Sequence, residues 1–281
     1  MTADSPQPID LHQAGRPHVI CAWQVGDIIV DPGPASCMPA LLAGLGEVEP
    51  RVLALTHIHL DHAGAAGSLV KRFPNLEVWV HERGARHLID PSRLLASAGR
   101  LYGDDMERLW GEVLAVPAEN IRSLSGGETV GPFRVAYTPG HASHHVSYLD
   151  ESSGNAFTGD VTGVRIDDGP VLAPTPPPDI DLDLWRASLD TIEAWAPERL
   201  FFTHFGTRSD VPAHLALIRE ALERQARWAR TLDERGFTER MLAPLTSRGD
   251  AVTAAAYQQG LPPGQSYAGL RRFLERSPQD P

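Results

Sequence analysis

Lysine is almost missing from this chain: Lys71 is the only one in 281 residues, and the formal net charge is −11. No lysine- and arginine-rich block could track a phosphate backbone, so nucleic acid is not expected as a partner. Cysteine is as scarce. Cys21 and Cys37 form no CxxC pair and are read as thiols without a role, which leaves neither a thiolate metal site nor a disulfide framework. No run of 18 or more apolar residues occurs, so no helical membrane span is expected. The segment Met1–Asp10 has neither a basic start nor an apolar stretch; no secretory signal is expected, and the cytoplasm is the expected compartment. Dinucleotide and Walker fingerprints are absent too, since Ser125-Gly126-Gly127 lacks a strand-to-helix setting. What remains, 42% hydrophobic and 22% charged, is the composition of an ordinary globular protein.

The informative stretch is Thr56-His57-Ile58-His59-Leu60-Asp61-His62-Ala63-Gly64. It follows the apolar run Val52–Leu55, read as a short buried strand, and leads into a helix expected from Asp61 to Phe73. Residues two apart in extended backbone project to the same side, so His57 and His59 can grip one ion together. Asp61 and His62 can face a second. Loops between rigid elements are where catalytic groups are commonly presented.

The order His57-x-His59-x-Asp61-His62 resembles the signature of the metallo-β-lactamase-fold hydrolases. The resemblance implies three further ligands downstream, and the chain supplies each in a matching setting: His141 in Thr138-Pro139-Gly140-His141, Asp160 in Thr158-Gly159-Asp160, and His204 in Thr203-His204-Phe205-Gly206. The matching positions run from residue 26 to 206. By this resemblance His57, His59 and His141 hold one divalent ion, Asp61, His62 and His204 the other, and Asp160 bridges them. Nitrogen and oxygen donors without cysteine suit zinc, with iron or manganese as alternatives. A hydroxide between two such ions would attack an acyl carbon or a phosphorus. Asp61 counts among the catalytic groups as well as the ligands. Two ions, two aspartates and one hydroxide leave the centre positive, so a small anionic substrate is compatible with an acidic chain.

Four more residues enter the expected site. Asp31, in Asp31-Pro32-Gly33, is expected to orient a ligand histidine from behind. His145 corresponds to the second histidine of the family's Pro-Gly-His-x-x-Gly-His run and is expected at the substrate; His144 stands where glycine is usual and is expected to support a ligand. Arg165, five residues after Asp160, is the candidate substrate anchor, because the lone Lys71 leaves no lysine for that role.

The expected fold is α+β, the four-layer αβ/βα sandwich that the resemblance implies. Strand-like runs end at Thr56-His57 and again at Thr203-His204, which suggests two similar halves. Residues 1–206 are read as the catalytic domain, with a helical insertion at about 82–120 broken at Asp90-Pro91 and near Gly103. Residues 1–15 read as a loose lead-in. Residues 207–281 read as a helical extension, with helices at Val211–Arg235, Glu239–Leu245, Asp250–Gln259 and Ser266–Arg276 and a frayed end. The extension could be an appended domain, a pocket lid or a homodimer surface.

The expected activity is hydrolysis of a small ester, thioester or lactone, since the ligand order looks like that of glyoxalase II and the acyl-homoserine lactonases. A mononuclear iron persulfide dioxygenase shares much of that order. A metal-dependent phosphodiesterase would use the same ions but needs a basic exosite, and a non-catalytic metal-binding protein would lack ligands.

Overall fold

Alternation along the strands sends neighbouring residues to two different cores, and this builds the layers. The computed structural model describes residues 5–246 and 251–276. In the first half, β1 (Gln7–Asp10), β2 (Cys21–Val25) and β3 (Ile28–Val30) run antiparallel. After helix α1 (Met38–Leu45), β4 (Val52–Ala54) joins in parallel. Helices α2 (Leu60–Ala63) and α3 (Ala66–Arg72) then lead to β5 (Glu77–His81). The insertion supplies α4 (Glu82–Ile89), α5 (Ser92–Tyr102) and α6 (Met106–Trp110) before β6 (Ile121–Leu124) closes a six-stranded sheet in sequential order.

The second sheet comprises β7 (Thr129–Val130), β8 (Phe133–Tyr137), β9 (Val146–Asp150) and β10 (Asn155–Phe157), followed across helix α7 (Leu182–Ala194) by β11 (Arg199–Phe202) and β12 (Gly206–Arg208). Only the β10–β11 pair is parallel, and α7 makes its crossover. Trp23, Val30, Ala54 and Trp79 of the first sheet meet Phe133, Tyr148, Phe157 and Phe201 of the second in the core between them. The intervening residues, Ala22, Ile29, Leu53 and Val78 on one side and Ala156, Leu200 and Phe202 on the other, join the core shared with the helices. A strand with both faces buried reads as a continuous apolar run rather than an alternating one. The outcome is the α+β four-layer sandwich.

The helical extension consists of α8 (Val211–Thr231), α9 (Glu234–Thr246), α10 (Ala251–Gly260) and α11 (Pro263–Arg276). Its Leu215, Ile218, Phe237, Met241, Tyr257 and Leu270 belong to the same core as Ile29 and Leu53. The buried Gln225 amide holds both backbone groups of Ala173, donating to its carbonyl and accepting from its N–H at 2.8 Å each.

Several sequence expectations need correction. Residues 7–10 are not a loose lead-in but edge strand β1, paired along its whole length with β2. The helix expected over 61–73 is two, interrupted at Gly64-Ala65, where a side chain on Gly64 would press on the Leu60 carbonyl and the Pro34 backbone. Strands β6, β7 and β12, all short, were not anticipated. Helix α8 stops at Thr231, α9 starts at Glu234 and α11 at Pro263. The expected start at Asp250 and the last five residues lie outside the described residues.

Candidate metal centre

All seven expected donors follow strand ends, five in the loops after them and two, Asp61 and His62, in the short helix α2. β4 leads through Thr56-His57 and His59 into α2, which carries Asp61 and His62; β8 leads to His141; β10 ends two residues before Gly159-Asp160; β11 ends at Phe202, directly before Thr203-His204. Because β8, β10 and β11 share one direction, their carboxyl ends lie at one edge, the usual place for ligands in sheets with parallel connections. Two glycines make the approach possible. Gly140 has φ +133° and lies against the Trp185 backbone, and Gly159 has φ +47° and faces the Thr56 hydroxyl and the His145 ring. A Cβ at either would collide, and both conformations favour glycine.

The donors fall into three overlapping groups: His57, His59 and His141; His57, His62 and Asp160; and Asp61, His62 and His204. His59 Nδ1 lies 3.0 Å from both His57 Nε2 and His141 Nε2. On the other side, Asp61 Oδ2 is 3.3 Å from His204 Nε2 and 3.8 Å from His62 Nε2. Asp160 spans the two sets, with Oδ1 3.4 Å from His62 Nε2 and Oδ2 3.4 Å from His141 Nε2.

The far nitrogens of the rings are tied down. His141 Nδ1 donates to the Pro174 carbonyl at 2.7 Å and His204 Nδ1 to the Val19 carbonyl at 2.9 Å. His62 Nδ1 donates to Asp31 Oδ2 at 2.8 Å. The Thr56 hydroxyl donates to Asp31 and so can accept from His57 Nδ1 at 3.1 Å. Such bonds fix the tautomer and leave the lone pair of the other nitrogen facing the site. Asp31 is fully buried, with φ +50°, a backbone region that a non-glycine residue occupies at some cost. Four donated hydrogen bonds, from the Thr56 N–H and hydroxyl, His62 and the Thr203 hydroxyl, hold it there.

Charge within the cluster is unevenly placed. Burial lowers His57, and His62, His59 and His141 lower it further; His59 is brought down to about 4, chiefly by burial. These rings are therefore neutral and hold free lone pairs. Burial alone would lower His62 as well, but Asp160, Asp61 and Asp31 outweigh it and hold the ring well above the usual histidine range. Burial would raise Asp61, and the His62 and His204 charges bring it down to about 2; Asp160 is driven low in the same way. Two ionised carboxylates, Asp160 buried and Asp61 half-buried, thus demand positive charge at this spot. Moreover, His62 Nε2 and Asp160 Oδ1 are buried and find no hydrogen-bond partner among the described residues. An unpaired buried polar atom costs about 1–3 kcal/mol, and a shared cation between these two atoms would satisfy both. The donor set fits divalent metal ions.

Above the donors opens a cavity of about 950 Å³, a size that holds a small organic molecule. His59, Asp61, His141 and Asp160 line its base, the insertion contributes Leu94, Ala98, Leu101, Tyr102 and Trp110, and the loop between α10 and α11 adds Leu261 and Pro262. Tyr102 donates a 3.2 Å hydrogen bond to Gln265, joining the insertion to the C-terminal helices across the cavity.

Two expected residues sit elsewhere. His145 is fully buried behind His57, bonded through Nδ1 to Thr138, and does not line the cavity; as placed it cannot touch substrate. Its neighbour His144 takes the cavity position instead, with Nδ1 accepting from the Ile58 N–H at 3.4 Å. The pair is exchanged because the turn after His141 brings the third residue after it, not the fourth, to the cavity side. Arg165 turns away to a separate shallow groove with Arg199 and Arg208, and its Nε donates to the Gly169 carbonyl. Of the insertion arginines, Arg93 lines the cavity, whereas Arg108 pairs outside with Asp105. Sequence reasoning missed Arg83, Arg86 and His87 of α4, which also line it. Their i, i+3, i+4 spacing was visible, but which face of α4 looks inward was not. His81, at the end of β5, caps α4 by accepting from the Arg83 N–H and stacks on Tyr137.

The sheets, the helices outside them and the donors at one shared edge define a metallo-β-lactamase-type fold. Residues 26–204 match the sequence profile of the Metallo-beta-lactamase superfamily, and the chain belongs to that superfamily. It is 27% identical over 206 residues to the metallo-beta-lactamase fold-containing protein ST1585 of Sulfurisphaera tokodaii, covering 71% of this chain and 76% of that protein. The crystal structure of ST1585, an archaeal superfamily protein, superposes with a TM-score of 0.72 at 24% identity, covering 95% of this chain and 98% of that one, which shows the common fold. The hydroxyacylglutathione hydrolase GloC of Haemophilus influenzae is 30% identical over 141 residues, covering 47% of this chain and 59% of that protein. The probable metallo-hydrolase YqgX of Bacillus subtilis is 32% identical over 114 residues, covering 40% of this chain and 49% of that protein. The chain thus spans only about half the length of these last two relatives. No helix among the described residues is long and apolar enough to cross a membrane.

Proposed function

We propose that the protein is a dinuclear metal-dependent hydrolase of a small ester, thioester or lactone, with zinc as the first choice of metal and iron or manganese as alternatives. The observation that carries this reading is Asp160, whose two carboxylate oxygens face different donor sets at 3.4 Å each under a cavity of about 950 Å³. His57, His59 and His141 would hold one ion and Asp61, His62 and His204 the other. Ions held there would acidify a water molecule and polarise a substrate acyl oxygen.

The chain's own residues do the rest. Asp31 holds His62, and through Thr56 also His57, in the tautomer that presents Nε2 to the site. Asp61, partly exposed to the cavity and held ionised by its histidine neighbours, is placed to accept a hydrogen bond from the attacking water and orient it. Because His144 Nδ1 accepts from Ile58, its proton sits on Nε2, and the ring, kept neutral by burial, can donate to substrate. The apolar side chains of the insertion and the Leu261-Pro262 turn exclude water around the acyl chain. The relatives GloC, a hydroxyacylglutathione hydrolase, and YqgX, a probable metallo-hydrolase, support a hydrolase reading. A screen of esters, thioesters and lactones on zinc-loaded protein tests the reading: turnover abolished by chelation and by Asp160→Ala is expected, and no turnover of any class would contradict it.

A further inference from the structure

Part of the cavity wall carries charge that the hydrolytic chemistry does not use. Arg83, Arg86 and His87 occupy one face of α4 at i, i+3, i+4 spacing, and Arg93 joins them from the first turn of α5; all four line the cavity with His59 and Asp61. Arg86, His87 and Arg93 adjoin one another, while the Arg83 guanidinium lies over the Tyr137 ring, 5.6 Å from its centroid. Arg86 Nε donates to His87 Nε2 at 3.2 Å, and the His87 pKa is lowered by burial and then by Arg86 and Arg93, so this histidine adds no charge of its own.

Several surface arginines have carboxylate partners, as in Arg108–Asp105 at 2.9 Å and Arg186–Glu223 at 2.6 Å. Among the described residues no ion pair involves Arg83, Arg86 or Arg93. Beyond the metal donors, the acidic residues lining the cavity are Glu82 and Asp179, and Asp179 already accepts from the Ser143 hydroxyl. Three guanidiniums against two carboxylates leave one positive charge uncompensated, in a chain whose net charge is −11. Like charges grouped without a counter-ion repel, and a guanidinium fork matches a carboxylate better than any other anion of unit charge. The same cavity wall also offers hydrocarbon: Leu60, Leu94, Ala98 and Leu101.

We propose that Arg83, Arg86 and Arg93 bind the carboxylate of a monoanionic substrate whose acyl chain carries it away from the scissile bond. They thereby set substrate choice for the hydrolase proposed above, on which this inference rests. Arg165, turned into another groove, takes no part.

Calorimetric titration of butyrate into zinc-loaded protein tests the grip without turnover. Butyrate should bind the parent protein and the outer-surface control R100A equally, and bind the double variant R86A/R93A at least about tenfold more weakly, the loss of charge-assisted hydrogen bonds. Zinc content and melting temperature verify folding, and the single variants R86A and R93A carry the test should the double variant fail to fold. Equal binding by parent and variant would place butyrate on the metals and overturn the proposal, as would no binding at all. In parallel, the kcat/KM ratio of monophenyl glutarate to phenyl valerate should exceed one and fall about tenfold in the double variant; an unchanged ratio would overturn it. Loss of butyrate binding in the variant, with neither ester cleaved by any of the proteins, would support the grip and contradict the hydrolase reading.

Discussion

Asp31 Oδ2 lies 2.8 Å from His62 Nδ1, and the same oxygen accepts from the Thr56 and Thr203 hydroxyls. One buried carboxylate thus ties the carboxyl ends of β3, β4 and β11 to a proposed metal donor. Asp31→Asn should loosen both the fold and the site. The introduced amide group would set donors against donors, leaving at least one buried group unpaired at about 1–3 kcal/mol. Loss of such outer support lowers metal affinity roughly 10–100-fold. Competitive chelator titration and urea unfolding measure the two effects.

His144 rather than His145 should govern turnover. His144→Ala removes a cavity-lining donor and is expected to lower kcat/KM by about tenfold or more while two ions remain bound. His145→Ala should instead lower the melting temperature, because it opens a cavity behind His57 and leaves Thr138 short of a partner. Paired kinetics and metal analysis of the two variants separate these outcomes.

Gly140→Ala should displace His141. The added methyl group meets the Trp185 backbone at a φ of +133°, a strain of about 1–3 kcal/mol. A lower melting temperature with weaker binding of one ion is expected; a melting curve identical to the parent's would count against the packing described.

His214 makes stability fall with acid. Burial lowers its pKa from 6.5 to about 4, while Nε2 donates to the Thr162 carbonyl at 2.8 Å. The unfolded chain binds the proton more readily, so this contribution is complete above pH 6.5 and is lost as pH falls toward 4. The loss amounts to about 3 kcal/mol at 1.36 kcal/mol per pKa unit. His214→Gln keeps a donor for Thr162 without titrating, so urea unfolding should show the stability gap between parent and variant closing or reversing from pH 7.5 to 5.

The donors were legible in the sequence because short-range grammar carries them: a buried strand, then Thr-His, Pro-Gly-His or Thr-Gly-Asp. Four of the seven lie within six residues, so local backbone geometry alone brings them near one another. The sandwich was legible for the same reason, since strands such as β4 and β11 read as unbroken apolar runs. Edge strands did not declare themselves. β1 contains Pro8, and β7 and β12 are two and three residues long, so pairing partners rather than composition make them strands. The inward placement of Arg83, Arg86 and Arg93, and the turning away of Arg165, depend on how α4, α5 and the Arg165 loop dock. That is decided by long-range packing, such as Gly84 against Ile58 and His144, which no spacing rule contains. The exchange of His144 and His145 is a one-residue matter of turn geometry.

The most direct test of the account is the number of divalent ions bound per chain, measured by plasma mass spectrometry on protein saturated with zinc and then desalted. Two ions in the parent and at most one in Asp160→Ala are expected, because Asp160 alone addresses both donor sets. A single ion in the parent, retained when Asp160 is replaced, would contradict the bridged centre and with it the proposed chemistry.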